Sequence, residues 1–124
     1  MALFRCGGGP AVENVLGKGK YVDAGGYALA NGSVGSFVKG TQFTVSNGYI
    51  NIILVNVEDC ASCSYTTSGG WMAMLGVASN GTCTQLVDNK STASNIDITN
   101  YDYVLFSTAG GASGTTLTAN ITIS

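Results

Sequence analysis

The chain has 124 residues, no histidine, 10% charged residues and a net charge of −2; that is the size of one domain, in which Gly, Ser, Thr and Asn stand where charges usually do. Five basic residues leave no electrostatic footprint for nucleic acid, and the lack of histidine removes the usual general base, the His-dependent triads and the commonest metal ligand. The longest apolar run, residues 71–75, is far below the roughly 18 residues of a membrane-spanning helix, so no membrane partner is expected.

The chain begins MALFRCGGGP. Arg5 breaks the apolar run too early for a secretory signal, Ala2 excludes myristoylation, and an arginine directly before Cys6 does not suit a lipoprotein site. No export signal is therefore read. Residues 1–20 are expected to be an N-terminal arm, with Leu3, Phe4 and Arg5 as its tip and Gly7, Gly8 and Gly9 as its hinge, and residues 21–124 the folded body. Ordering a glycine-rich arm costs about 1–2 kcal/mol per residue, so it needs a surface to hold it. The expected surface is a neighbouring chain; the alternative is the arm's own domain. The charges are unevenly spread, net +2 through residue 40 and net −4 beyond it, which favours head-to-tail or arm-to-body association.

Residues 11–20 could form one helical turn at most, and from about residue 36 the pattern is strand and turn. TQFTVS alternates, with Phe43 and Val45 on one face, and Asn47-Gly48 predicts a hairpin. YINIILVNVE is apolar on both faces in its middle, as expected of a central strand covered on both sides or of a bulged one. WMAMLGVAS turns at residues 79–81 into TCTQLVD, and Asp88-Asn89-Lys90 predicts a further turn. SNIDIT follows with Ile96 and Ile98 inward, then YDYVLFST, with Tyr101 and Tyr103 on one face, and the loop AGGASG. TTLTANITIS alternates most cleanly, Leu117, Ala119, Ile121 and Ile123 inward. About eight strands at regular spacing predict an all-β fold, a single antiparallel β-sandwich or jelly roll.

No phosphate loop, dinucleotide fingerprint or nucleophile elbow is present. Glu58 and Asp59 are adjacent and point to opposite faces of a strand, so they make no acid pair. Asp97 and Asp102 with Asn95 or Asn100 supply oxygen ligands, but their spacing matches no calcium loop, and turn Asp and Asn usually cap their own backbone. The chain is therefore read as a non-enzyme without cofactor. Cys6, Cys60, Cys63 and Cys83 are the most specific feature. Cys83 lacks the second CxxC of a zinc ribbon, so a disulfide from Cys83 to Cys60 or Cys63, stapling residues 59–70, is the first reading. Zinc on all four cysteines and buried free thiols are the alternatives. A disulfide implies an oxidising place of work. Tyr65 and Trp71 bracket TTSGG and suit either a core or a glycan-stacking platform.

The MALFRCGGG start on a Gly/Ser/Thr-rich β body resembles the small β-sandwich accessory proteins of tailed-bacteriophage virions, such as capsid decoration, head-fibre and tail-attached proteins. The resemblance implies a structural role in the virion, with capsid or tail proteins and further copies of the chain (a homo-oligomer) as partners. The alternative is a lectin-like jelly-roll module that meets a cell-surface glycan through Tyr65 and Trp71, reaching the outside by a non-classical route.

Overall fold

The computed structural model describes residues 16–23, 33–47, 50–110 and 117–124. Within these residues there are ten strands and no helix. They are β1 (Lys20–Asp23), β2 (Ser33–Ser36), β3 (Phe43–Asn47), β4 (Ile50–Asn56), β5 (Ser62–Ser68), β6 (Gly70–Val77), β7 (Cys83–Lys90), β8 (Thr92–Asp97), β9 (Tyr103–Gly110) and β10 (Leu117–Ile123). A large sheet runs in the order β2-β1-β4-β9-β6-β7 and a small sheet in the order β3-β10-β5-β8. Every pairing is antiparallel. The two sheets form a β-sandwich.

Period-2 alternation explains the small sheet. On β10, Leu117, Ala119, Ile121 and Ile123 are at most 1% exposed, while Thr118, Asn120 and Thr122 face outward. Phe43 and Val45 follow the same rule on β3, and Tyr65 and Cys63 on β5. Opposite them, Ile53, Val55, Met72, Met74, Val104 and Phe106 turn inward from the large sheet to complete the core. Phe106 meets Tyr65 edge-on at 5.9 Å, a favourable aromatic geometry across the sheets. Tyr21 and Phe37 stack on Phe43 at 4.9 and 5.3 Å and close one end.

The long apolar strand takes the central position its sequence demands. β4 lies between β1 and β9, with Ile53 and Val55 toward the sandwich core. Leu54 points the other way and is also fully buried, in a second cluster with Leu16, Val22, Val77 and Tyr103. The large sheet thus buries apolar residues on both faces around β4.

Three local expectations are corrected. Asn47-Gly48 makes no hairpin: β3 pairs with β10 in the small sheet, whereas β4 pairs with β1 and β9 in the large one. The two strands belong to different sheets, so the chain changes sheets between them; residues 48 and 49 lie outside the described residues. Residues 88–90 stay within β7, where Asn89 takes φ +41° and the pairing with β6 shifts register; the chain crosses to β8 at Ser91. Tyr101 and Tyr103 do not share a face. Tyr101 packs on the main core against Gly76, where a Cβ would meet its ring at 2.7 Å, and Tyr103 lies in the second cluster. The hairpin at 79–81 forms as expected. Gly81 supplies φ +87°, and the Asn80 side-chain oxygen accepts from the Thr82 N–H.

Candidate functional site

The two outward faces of the sandwich differ, and both are candidate interaction surfaces. On the large sheet, register places Asn56 opposite Tyr103, Tyr103 opposite Val77, and Val77 opposite Cys83, one continuous row across β4, β9, β6 and β7. Leu16 lies over this row. Its carbonyl accepts from Asn56 Nδ2 at 2.8 Å and from the Tyr103 hydroxyl at 3.2 Å. Asn56, 1% exposed, also closes a local turn: its Oδ1 accepts from the Glu58 N–H at 3.0 Å and its Nδ2 donates to Glu58 Oε1 at 3.2 Å. Burial, and next the Glu58 charge, raise the pKa of Tyr103; the same two causes in the same order raise that of Asp102. Sequence reasoning missed Asn56. Its signal was a polar residue at outward parity inside the apolar run ILVNV.

Trp71 occupies the opposite end of the same face. It shares parity with Ala73, Leu75 and Val77 on β6, and it is 48% exposed, one of three large apolar side chains on the surface, with Val34 and Val38, among the described residues. Tyr65 lies elsewhere. It is buried between the sheets, and its hydroxyl donates to the Met72 carbonyl at 2.5 Å. The structure therefore separates the two aromatics that bracket residues 66–70, with Gly69 at φ +84° making the turn between them. Of the two, Trp71 is the one exposed to a ligand.

The outer face of the small sheet is polar, and the one charged residue its strands carry is Asp97, opposite Ser62 at one end. Register aligns Thr44, Asn120, Thr66 and Thr92 in one row and Ser46, Thr118 and Ser68 in the next. Neighbours bond along these rows: Thr44 Oγ1 donates to Asn120 Oδ1 at 2.7 Å, and Ser46 and Thr118 share a 3.2 Å contact. A groove of about 420 Å³ opens on this face, lined by Gln42, Ser64, Thr66, Thr92, Ser94, Asn120 and Thr122 among others. It offers hydroxyl and amide groups and no ionised side chain.

Cys60 and Cys63 are free thiols, so neither forms the expected bridge to Cys83. The reason is topological. Cys63 faces the interior from the small sheet, whereas Cys83 stands on the outer side of the large sheet, beside Val77. Burial, and next Cys60, push the Cys63 thiol up to about 12, and burial also raises Cys60. Both are neutral thiols near pH 7, a poor state for binding a metal. Cys83 packs against the second cluster. Among the described residues no group of three His, Cys, Asp or Glu side chains could hold a metal ion.

The carboxylates expected near turns cap or pair. Asp97 accepts from the Thr99 hydroxyl at 2.6 Å and from its N–H at 3.0 Å, and these bonds hold its pKa low. Asp59 bonds Lys18 at 2.6 Å on the open surface, which lowers the acid's pKa and raises the lysine's. Leu3, Phe4, Arg5, Cys6, Gly7, Gly8 and Gly9 lie outside the described residues. No family model, curated protein or solved structure matches the chain.

Proposed function

We propose that the protein is a structural subunit that acts through its surfaces rather than by catalysis. It joins a larger assembly through residues 1–10 and the outer face of the large sheet. The observation that carries this reading is the position of Trp71, 48% exposed on a sheet face whose other end is closed by Leu16, Val22, Leu54, Val77 and Tyr103, on a molecule whose other outer face is polar. Exposed aromatics beside buried apolar surface are common anchors of protein contacts. Work of this kind is what the accessory proteins of tailed-phage virions do, with capsid or tail proteins and further copies of the chain as partners. The virion is the proposed place of work.

The native mass of the full chain and of a variant lacking residues 1–10, each with and without reductant, tests it. A defined oligomer that the truncation dissolves, and that Trp71→Asp weakens, is the expected result. Monodisperse monomers for both proteins, with no association when mixed with virion shells, would sink the reading.

A second reading has its own observation. The neutral groove on the small sheet offers the hydroxyl and amide chemistry that hydrogen-bonds an uncharged sugar. A carbohydrate-binding module working outside the cell would use Asn120, Thr66 and Gln42 here rather than Tyr65. Glycan-array binding abolished by Asn120→Ala and untouched by Trp71→Ala would favour it over the first.

A further inference from the structure

Among the described residues β2, β7, β3 and β8 end the two sheets, and these four edges are not alike. β7 and β8 meet on one side of the molecule. Both pair irregularly with their neighbours, each holds an asparagine at positive φ (Asn89 at +41°, Asn95 at +53°), and they carry Asp88, Lys90 and Asp97. Bulges and charges keep an edge from pairing with another chain. β2 and β3 have neither device. Each pairs in unbroken register with its one described neighbour, and their sequences, SVGS and FTVSN, hold no charge. No described strand covers their outer edges. Between them opens a depression of about 170 Å³, lined by Tyr21, Gly35, Thr44, Val45 and Ser46 among others, with Val34, 65% exposed, on its wall.

We propose that two copies of the chain pair through this side, β3 against β3, antiparallel about Val45. In that register β3 is self-complementary. Thr44 of each copy faces Ser46 of the other, which continues the hydroxyl pairing the small sheet already makes from Thr44 to Asn120 and from Ser46 to Thr118. Val45 meets its counterpart on the core side. The same axis brings the two Val34 side chains toward each other, since Val34 lies across the depression from residues 44–46. Charge sets the direction of pairing. Lys20 and Lys39 stand at the end where β2 leads into β3, with the Lys20 Nζ donating to the Ser36 hydroxyl, whereas Asp23 stands at the far end, opposite Ser33. A parallel pair would set lysines against lysines. The antiparallel pair sets the lysine end of each copy beside the Asp23 end of the other. Such a two-fold contact closes on itself and leaves the guarded β7 and β8 edges at the outer sides of the pair.

This contact goes beyond the assembly reading and uses neither residues 1–10 nor Trp71, so Trp71→Ala leaves the pair intact and acts only on assembly above it. Sedimentation of the full chain at several loadings tests it, with two double variants at exposed positions. The parent is expected to sediment as a pair of chains or as multiples of two. T44K/S46K sets lysine against lysine at both contacts and is expected to raise the concentration needed for pairing by roughly tenfold or more, at unchanged strand content. T44K/S46E sets lysine against glutamate in the same register and is expected to return that concentration to near the parent's. In the parent, amide exchange over residues 43–47 should slow above the pairing concentration while exchange over β8 stays constant, a readout that holds even where T44K/S46K fails to fold. A parent that is monomeric at every loading, exchange over residues 43–47 that ignores concentration, or a folded T44K/S46K that pairs as the parent does would overturn the contact. Equal weakening by both double variants would overturn the antiparallel register.

Discussion

The outer faces of the two sheets follow the same alternation rule and reach opposite ends. On the small sheet the outward residues of β3, β5 and β10 are Ser, Thr or Asn, and the face meets solvent as a polar lattice. On the large sheet the same parity carries Leu54, Val77, Tyr103 and Val22, and that end of the face is buried. An outward-facing strand residue has no intrinsic environment. It is core or surface according to whether something lies over it, and in this molecule Leu16 begins that cover.

The largest expected effect tests this difference directly. Leu54→Ala should cost about 2–5 kcal/mol, as much as Ile53→Ala beside it, because both side chains leave cavities in closed apolar surroundings. Urea unfolding of the two variants measures it. A cost below about 1 kcal/mol for Leu54→Ala alone, the range of an exposed position, would make the outer face ordinary surface.

Asn56→Ala comes next, at about 1–3 kcal/mol, since it strips the Leu16 carbonyl of its shorter bond within a buried site. The same substitution should loosen the cover, seen as faster proteolysis near Leu16 at denaturant concentrations where the strands persist. Equal proteolysis of variant and parent would show that Leu16 is held by packing alone.

Alkaline pH separates the two sheets in another way, through β5. Cys63 is pushed from an ordinary 9.0 to about 12, first by burial and then by Cys60, and Tyr65 from 10.0 to about 12, first by burial and then by Cys63. The folded state therefore keeps protons that the unfolded state gives up. The stability these groups lend is complete below about pH 9 and is lost as pH rises toward 12. Unfolding midpoints should fall steadily across that window. Cys63→Ala should flatten the decline while lowering stability at pH 8, and an unchanged slope would show that other groups govern it. Native alkylation should likewise reach the half-buried Cys60 well before Cys63.

Much of this fold is legible in the residues, and the failures have a common cause. β10 could be read residue by residue, because one buried and one solvated face impose strict alternation. The both-face apolarity of β4 announced a covered central strand. Asn47-Gly48 misled because local turn chemistry cannot register that the flanking strands belong to different layers. The cysteine pairing failed for the same reason: Cys60 and Cys63 are near Cys83 in sequence but separated from it by the thickness of the sandwich. Tyr65 and Trp71 sit at consistent parities on their own strands, yet the turn at Gly69 carries the chain from the small sheet to the large, so one ends inside and the other outside. Which face of a sheet is covered depends on long-range assembly, and that part was not legible.

The smallest effects sharpen the comparison where the two outer faces both meet water. Thr66→Val and Trp71→Ala should each change stability by no more than about 0.5 kcal/mol, since one replaces an exposed hydroxyl on a lattice and the other trims a half-exposed ring at the end of a strand. Their consequences for association should diverge. If the proposed assembly uses the exposed indole as its anchor, Trp71→Ala should raise the concentration needed for oligomer formation, read by sedimentation at several loadings. Thr66→Val adds an apolar methyl to a polar face without creating an anchor and should leave that concentration unchanged. If the two variants assemble alike, exposure of Trp71 has no bearing on assembly, and the contacts have to be sought among Val34, Val38 and the chain before Leu16.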